Sequence, residues 1–264
     1  MNGKTIKRLI GKIPGTHFAR DLAIKHLLQP CMSAGFRLRG GLHARHAYGD
    51  SILSQALEGF CDRSDISDHL GAIFYHAVEA SPRLIVELGT RGGESTRALL
   101  AAAAVADGTL LSVDLAPQPP LNLPHQERWH FHQGDDIAFG QTGFPVWAAD
   151  HGLAPEIDVL FIDTSHEYAH TKQEIAVWAP HLAAHGAMIF HDTNMGTVYA
   201  HSDGSVGYGW DNDRGVIRAI EEFLGRHYDE HTHFVDLQGG FLVKHYPFCS
   251  GLTVLRKVGG PAPR

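Results

Sequence analysis

Four carboxylates stand at or beside the ends of short apolar runs: Glu87 in Leu84 to Leu88, Asp114 after Thr109 to Val113, Asp163 after Ile157 to Ile162, and Asp192 after Ala187 to His191. Such runs read as buried parallel strands, and in an open parallel sheet ligands sit beyond the carboxyl ends of the strands. Asp163 and Asp192 fall on strands expected to be neighbours at ~4.8 Å. Two carboxylates that close repel unless they share a proton or a cation, and an oxygen-rich pair suits Mg²⁺. The plainer alternative is two solvated aspartates at loop ends. His166, three residues past Asp163 in Asp163-Thr164-Ser165-His166, is placed to take the proton from a substrate hydroxyl. His191, directly before Asp192, is its rival, as base, ligand or buried neighbour. Strand alternation puts His191 opposite Asp192, which favours His166 as the base and a structural role for His191.

The second constellation is Glu87-Leu88-Gly89-Thr90-Arg91-Gly92-Gly93-Glu94-Ser95, a strand end, a glycine turn and the start of an Ala/Leu-rich helix. Small residues there admit a ligand against the backbone, and free helix N–H groups point at it. Glu87, buried at the strand end, demands a hydrogen-bonding partner. The glycines are not spaced as in the dinucleotide fingerprint, and a carboxylate beside a pyrophosphate is unfavourable. Asp114 can accept hydrogen bonds from ribose hydroxyls, and Asp135 or Asp136 sits where a loop after a third strand reaches an adenine amino group.

These residues need a frame, and the periodicity supplies one. Two short helices are expected within residues 1 to 30, then a Gly/Arg/His-rich loop from Ser33 to Asp50 whose Arg37, Arg39, Arg45, His43 and His46 could line a substrate mouth. Helical spacing begins at Ser67 with Leu70, Ile73, Phe74 and Ala77 on one face, and stops before Ser81-Pro82. Strands follow at Leu84–Leu88, Thr109–Asp114, within Trp129–Asp136 (a short strand and a turn), Ile157–Asp163 and Ala187–His191, with helices over Ala98–Ala106, Tyr168–Leu182 and Gly215–Gly225. His233–Leu237 and Leu252–Val258 close the set, and 259–264 is a frayed tail. Alternation of this kind predicts an α/β fold: a Rossmann-like, doubly wound, mostly parallel seven-stranded sheet with helices on both faces. Domain bounds are set at 1–66 for a helical and loop extension that serves as substrate lid or oligomer contact, and 67–258 for the catalytic domain. The polar, glycine-rich Asn194–Asp213 is expected to be a lid, with Tyr208, Trp210, Asp211, Asp213 and Arg214 closing over substrate.

Composition narrows the classes. A net charge of -7 argues against a general nucleic-acid binder. Cys31, Cys61 and Cys249 make neither a disulfide framework nor a zinc motif and fit a reducing cytoplasm. No targeting segment or membrane-spanning apolar run is read, so a cytoplasmic protein that meets small molecules, with room for a homo-oligomer, is expected.

The pattern E-x-G-x-x-G-G resembles the first motif of class I S-adenosylmethionine (SAM)-dependent methyltransferases. With SVD, FIDTSHEY and MIFHDT added, residues 67 to about 225 resemble the small-molecule O-methyltransferases of that superfamily, in particular the group of metal-dependent macrolide-sugar methyltransferases and cephalosporin-hydroxylase-like proteins. The resemblance implies SAM held by Glu87, Gly89, Thr90, Arg91, Gly92, Gly93, Ser95, Asp114, Asp135 and Asp136. It implies Mg²⁺ on Asp163 and Asp192, with His191 where an acidic residue is common in the sugar-methylating members, and His166 as base. The expected function is methyl transfer to a hydroxyl of a small molecule, a sugar or vicinal diol of a natural product or glycan. The alternatives are a non-catalytic SAM-binding protein and, further off, a nicotinamide-dependent oxidoreductase.

Overall fold

The computed structural model describes residues 64–258. The helices expected within residues 1 to 30, the loop Ser33–Asp50 with its arginines and histidines, Cys31, Cys61 and the tail from 259 lie outside the described residues.

Strands β1 (Leu84–Leu88), β2 (Thr109–Asp114), β3 (Trp129–Gln133), β4 (Ile157–Ile162) and β5 (Leu182–His191) are parallel and lie in the order β3-β2-β1-β4-β5. A hairpin, β6 (Val198–Ala200) with β7 (Val206–Tyr208), stands apart as a second sheet. Strands β8 (Phe234–Gln238), β9 (Phe241–Tyr246) and β10 (Leu252–Lys257) extend the main sheet antiparallel, with β10 inserted between β5 and β9. The main sheet therefore has eight strands where seven were expected. The additional strand is β9, joined to β8 through Gly239-Gly240, both at positive φ. That two-glycine loop between alternating residues is a hairpin signal available from the sequence.

Every residue of β1 is buried, because both faces of the sheet are covered by helices. Helices α1 (Leu70–Glu79) and α2 (Glu94–Val105) cover one face, where Ile73, Leu99 and Leu100 pack on Ile85, Phe161 and Val254. On the other face lie α3, α4 (Tyr168–Trp178) and α5 (Gly215–Leu224). Helix α3 consists of Asp136–Ala138 and Phe144–Asp150 with a π-helical turn at Phe139–Gly143 between them. Phe144, Trp178, Ile217 and Ile220 there meet Val86, Leu88, Leu160 and Phe190. Burying each of these large side chains contributes ~1.5–3 kcal/mol, so the sheet edge is carried on a stiff support.

Three boundaries differ from the periodic reading by four or five residues, the first being helix α2, which starts at Glu94 rather than Ala98. Helix α4 ends at Trp178, not Leu182, because Pro180 follows in a 3₁₀ turn, Ala179–His181. Strand β5 starts at Leu182, five residues earlier than expected, and takes an irregularity in its pairing with β4 between Ile157 and Val159. The expected lid contains the β6–β7 hairpin, and its tip is tied down: Ser202 N–H donates to Asp68 at 2.5 Å and Cys249 N–H to the Ala200 carbonyl at 2.8 Å.

Candidate active site

Pairing of β1 with β2 and β4 brings the glycine turn, Asp114 and Asp163 to one edge of the sheet. Gly89 has φ +85, and a Cβ there would stand 2.1 Å from the Asp163 carbonyl oxygen, so only glycine lets the first turn pass the end of β4. Gly93, at φ +83, begins α2 without a side-chain cap, which leaves the first-turn N–H groups of the helix without a side-chain acceptor. Gly92 lies between them against the Glu94 carboxylate. Thr90 is buried and its hydroxyl has no partner.

The Asp114 carboxylate braces this turn. Its Oδ2 accepts from the N–H groups of Thr90 (2.8 Å) and Arg91 (3.2 Å), and Oδ1 from Ala116 N–H (2.8 Å). An ionised carboxylate has about four acceptor sites, so Asp114 retains capacity for a ribose hydroxyl. Arg91 turns away and holds Asp65 through two bonds of 2.7 Å.

Glu87 is placed differently from the expectation that it meets a ligand. Alternation along β1 puts it on the α2 face with Ile85, fully buried. Oε1 accepts from Ser95 (2.6 Å), Oε2 from Ser112 (2.5 Å), and Thr96 reaches both oxygens. Trp129 Nε1–H in turn donates to Ser112 at 2.9 Å. Burial pushes the Glu87 carboxyl up to about 7, although the three hydroxyls oppose the rise. Glu87 and Ser95 therefore bind each other and fasten α2 to β1 and β2. Asp136 is similarly turned inward, onto His170 at 3.3 Å, whereas Asp135 is exposed and caps α3 through Ala138 N–H at 2.8 Å. Of the two aspartates considered for adenine, the exposed Asp135 is the one open to the edge.

Beyond β4 and β5, four side chains converge. His191 Nδ1 lies 3.5 Å from Asp163 Oδ1 and 3.3 Å from Asp192 Oδ1. These three ligand atoms lie within 4.8 Å of one another, all are buried, and none has a hydrogen-bond partner. The other oxygen of Asp192, Oδ2, is 2.5 Å from His166 Nδ1. The expectation that His191 points away from Asp192 is corrected here. Asp192 has φ +56, so the chain leaves β5 by a left-handed turn and strand alternation no longer holds between residues 191 and 192. His166, at φ +61, is a second left-handed residue, and Asn212 Nδ2 donates to the backbone carbonyls of both His166 (3.3 Å) and Asp192 (3.2 Å). Strain of ~1–3 kcal/mol at such positions persists only where the surroundings over-determine it.

Burial alone would lower the His191 pKa, but the Asp192 and Asp163 carboxylates outweigh it and hold the ring well above its ordinary range. Burial likewise opposes ionisation of Asp192, and the two imidazoles reverse that, keeping the carboxyl well below the usual range. The site thus favours a positive charge beside the ionised Asp192, as a proton on His191 or a cation among Asp163, His191 and Asp192.

Sequence reasoning missed two members. His69, buried with neither ring nitrogen partnered, sits edge-on to His191 at 5.4 Å between ring centroids, and burial pushes it well below its ordinary pKa. Asn212 is the other. A helix-start histidine on an apolar face gives no signal in sequence, since only the fold sets it against β5. Among the lid residues, the Trp210 ring stands edge-on to His166 at 6.0 Å. Asp213 lies at φ +51 with its N–H on Asp211 Oδ1 at 3.1 Å, and Tyr208 ends β7. Arg214 does not face the site: its guanidinium is held by Glu230 at 2.7 Å and Glu221 at 2.8 Å.

Residues 86–193 match the family model described as a methyltransferase domain. The matched segment runs from β1 through the glycine turn to the residues just past β5, so the part of the sheet that carries the candidate site is similar to a methyltransferase domain. No curated protein matches the sequence. Among solved structures, the chain is similar to MycE methyltransferase from the mycinamycin biosynthetic pathway in complex with Mg, SAH and mycinamycin VI, at 15% identity and TM-score 0.50, covering 93% of this chain and 62% of MycE. A second MycE crystal form with Mg and SAH gives 16% identity and TM-score 0.51, over 79% of this chain and 54% of the other. The chain thus spans less than two thirds of the MycE chains it resembles. The SAH-bound Podospora anserina methyltransferase PaMTH1 aligns at 14% identity and TM-score 0.49, over 86% of this chain and 95% of its own. Likeness at these identities speaks to the fold. No helix among the described residues is long and apolar enough to cross a membrane.

Proposed function

We propose that this chain is a SAM-dependent methyltransferase acting on a hydroxyl oxygen of a small molecule, a sugar or vicinal diol of a natural product or glycan, with His166 as base and a divalent cation on Asp163, His191 and Asp192. The observation that carries the reading is the division of labour on Asp192. Oδ1 stands unpartnered toward Asp163 and His191, while Oδ2 binds His166. Donation from His166 Nδ1 to Oδ2 orients the ring and leaves Nε2 to accept a proton from the acceptor hydroxyl. The complex of MycE with Mg, SAH and mycinamycin VI is in keeping with a cation and a natural-product acceptor on this fold.

SAM fits the uncapped α2 terminus, the unpartnered Thr90 hydroxyl and Asp114, and when bound it supplies the electrophilic methyl group. Mg²⁺ fits the three orphaned ligand atoms and would supply positive charge against the oxygen that loses its proton. The chain's own tasks are then to orient the acceptor, remove its proton at His166 Nε2, and keep water out with the Trp210 segment. Chelator should abolish turnover and Mg²⁺ should restore it; full activity in excess chelator would remove the cation from this reading.

A further inference from the structure

Asp136, His170 and Glu174 form a cluster outside the site described above. Asp136 opens α3 after β3, while His170 and Glu174 lie one turn apart on α4 and so share a face. His170 Nε2 is 3.3 Å from Asp136 Oδ1 and 3.7 Å from Glu174 Oε1. Glu174 is fully buried and Asp136 is 6% exposed. Glu174 Oε1 accepts from the Thr164 hydroxyl at 2.7 Å, but Glu174 Oε2 and Asp136 Oδ2 are buried with no donor.

Two buried carboxylates with one imidazole leave more acceptor sites than donors, and each unpaired oxygen costs free energy. A proton shared between the acids, or a cation, resolves this. Ligand atoms around an ion at ~2.1 Å stand ~3.0–3.4 Å apart in octahedral or tetrahedral geometry. The three ligand atoms here converge to within 4.8 Å, with the imidazole at near that spacing. We propose that Asp136, His170 and Glu174 are a second divalent-cation site, separate from Asp163, His191 and Asp192. One imidazole and two carboxylates suit Mn²⁺ or Zn²⁺. An ion there cross-links the start of α3 to α4 and, through Glu174 and Thr164, braces the end of β4.

The test is Mn²⁺ stoichiometry on the full, metal-stripped chain, read from the electron paramagnetic resonance signal of free Mn²⁺. Wild type is expected to bind two Mn²⁺, H170A one, D163N one, and the double variant none. His170 is partly exposed, so H170A should fold; H170Q serves if it does not. In D163N protein, Mn²⁺ should still raise the melting temperature, and the added H170A change should remove that rise. A wild-type stoichiometry that H170A and H170Q leave unchanged would overturn the proposal and mean that the two acids share a proton only. One ion in wild type, abolished by H170A, would keep this site and sink the one at Asp163.

Discussion

Replacing Glu87 by glutamine should flatten a pH dependence that the wild-type protein carries in its core. The Glu87 carboxyl rises from 4.5 to about 7 on folding, with burial as the main cause. Between those values the folded state holds a proton that the unfolded state has released, so stability falls as pH rises. At about 1.4 kcal/mol per pH unit, the full loss is about 3 kcal/mol, complete near pH 8 and absent below pH 4.5. Glutamine can keep bonds to Ser95, Thr96 and Ser112 and has nothing to titrate. Urea unfolding of both proteins at pH 5, 6, 7 and 8 isolates the effect, because the other titrating groups are shared. The wild type should lose about 2–3 kcal/mol relative to E87Q between pH 5 and pH 8. A difference that stays constant with pH would show that the hydroxyls hold Glu87 ionised throughout, and the argument from burial would fail.

Gly89→Ala should cost about 2 kcal/mol or more in urea unfolding, since the new Cβ meets the Asp163 carbonyl in a left-handed residue; a loss under about 0.5 kcal/mol would refute the close-approach argument. Asp114→Ala should weaken SAM by ~10-fold or more in calorimetry and also lower stability by ~1–3 kcal/mol, because three N–H groups lose their acceptor. Unchanged SAM affinity would take Asp114 out of the cofactor site. His166→Ala should cut kcat by ~10²–10⁴-fold with SAM affinity intact. His191→Ala should instead raise the Mg²⁺ needed for half-maximal rate by ~10-fold or more, and the reverse pattern would exchange the two roles.

Much of this was legible in the sequence because strand ends and glycine turns leave local marks. Apolar runs stop at Asp114, Asp163 and Asp192, and the sheet brings all three to one edge. What was not legible is direction. Nothing local in MIFHDT announces that Asp192 adopts φ +56, yet that one residue turns Asp192 back toward His191, which strand alternation had set on the opposite side. Glu87 was expected at the ligand because its spacing fits a cofactor motif; its partners Ser95, Thr96 and Ser112 were in plain view, but only the packing of α2 on β1 decides between them. Arg214 was expected at the substrate, and Glu221 on α5 and Glu230 in the loop after it claim it instead. His69 lies beyond any periodic reading, since long-range packing alone sets it beside His191.

The measurement that bears most directly on the proposed function is product analysis by mass spectrometry. Purified protein is incubated with methyl-labelled SAM and a panel of nucleotide sugars, glycosides and vicinal diols, with Mg²⁺ or with excess chelator. Methyl ether formation on a hydroxyl oxygen, lost in chelator and in His166→Ala, is the expected result. Transfer to nitrogen or carbon, or methyl ether formation that persists undiminished in both chelator and His166→Ala, would contradict it.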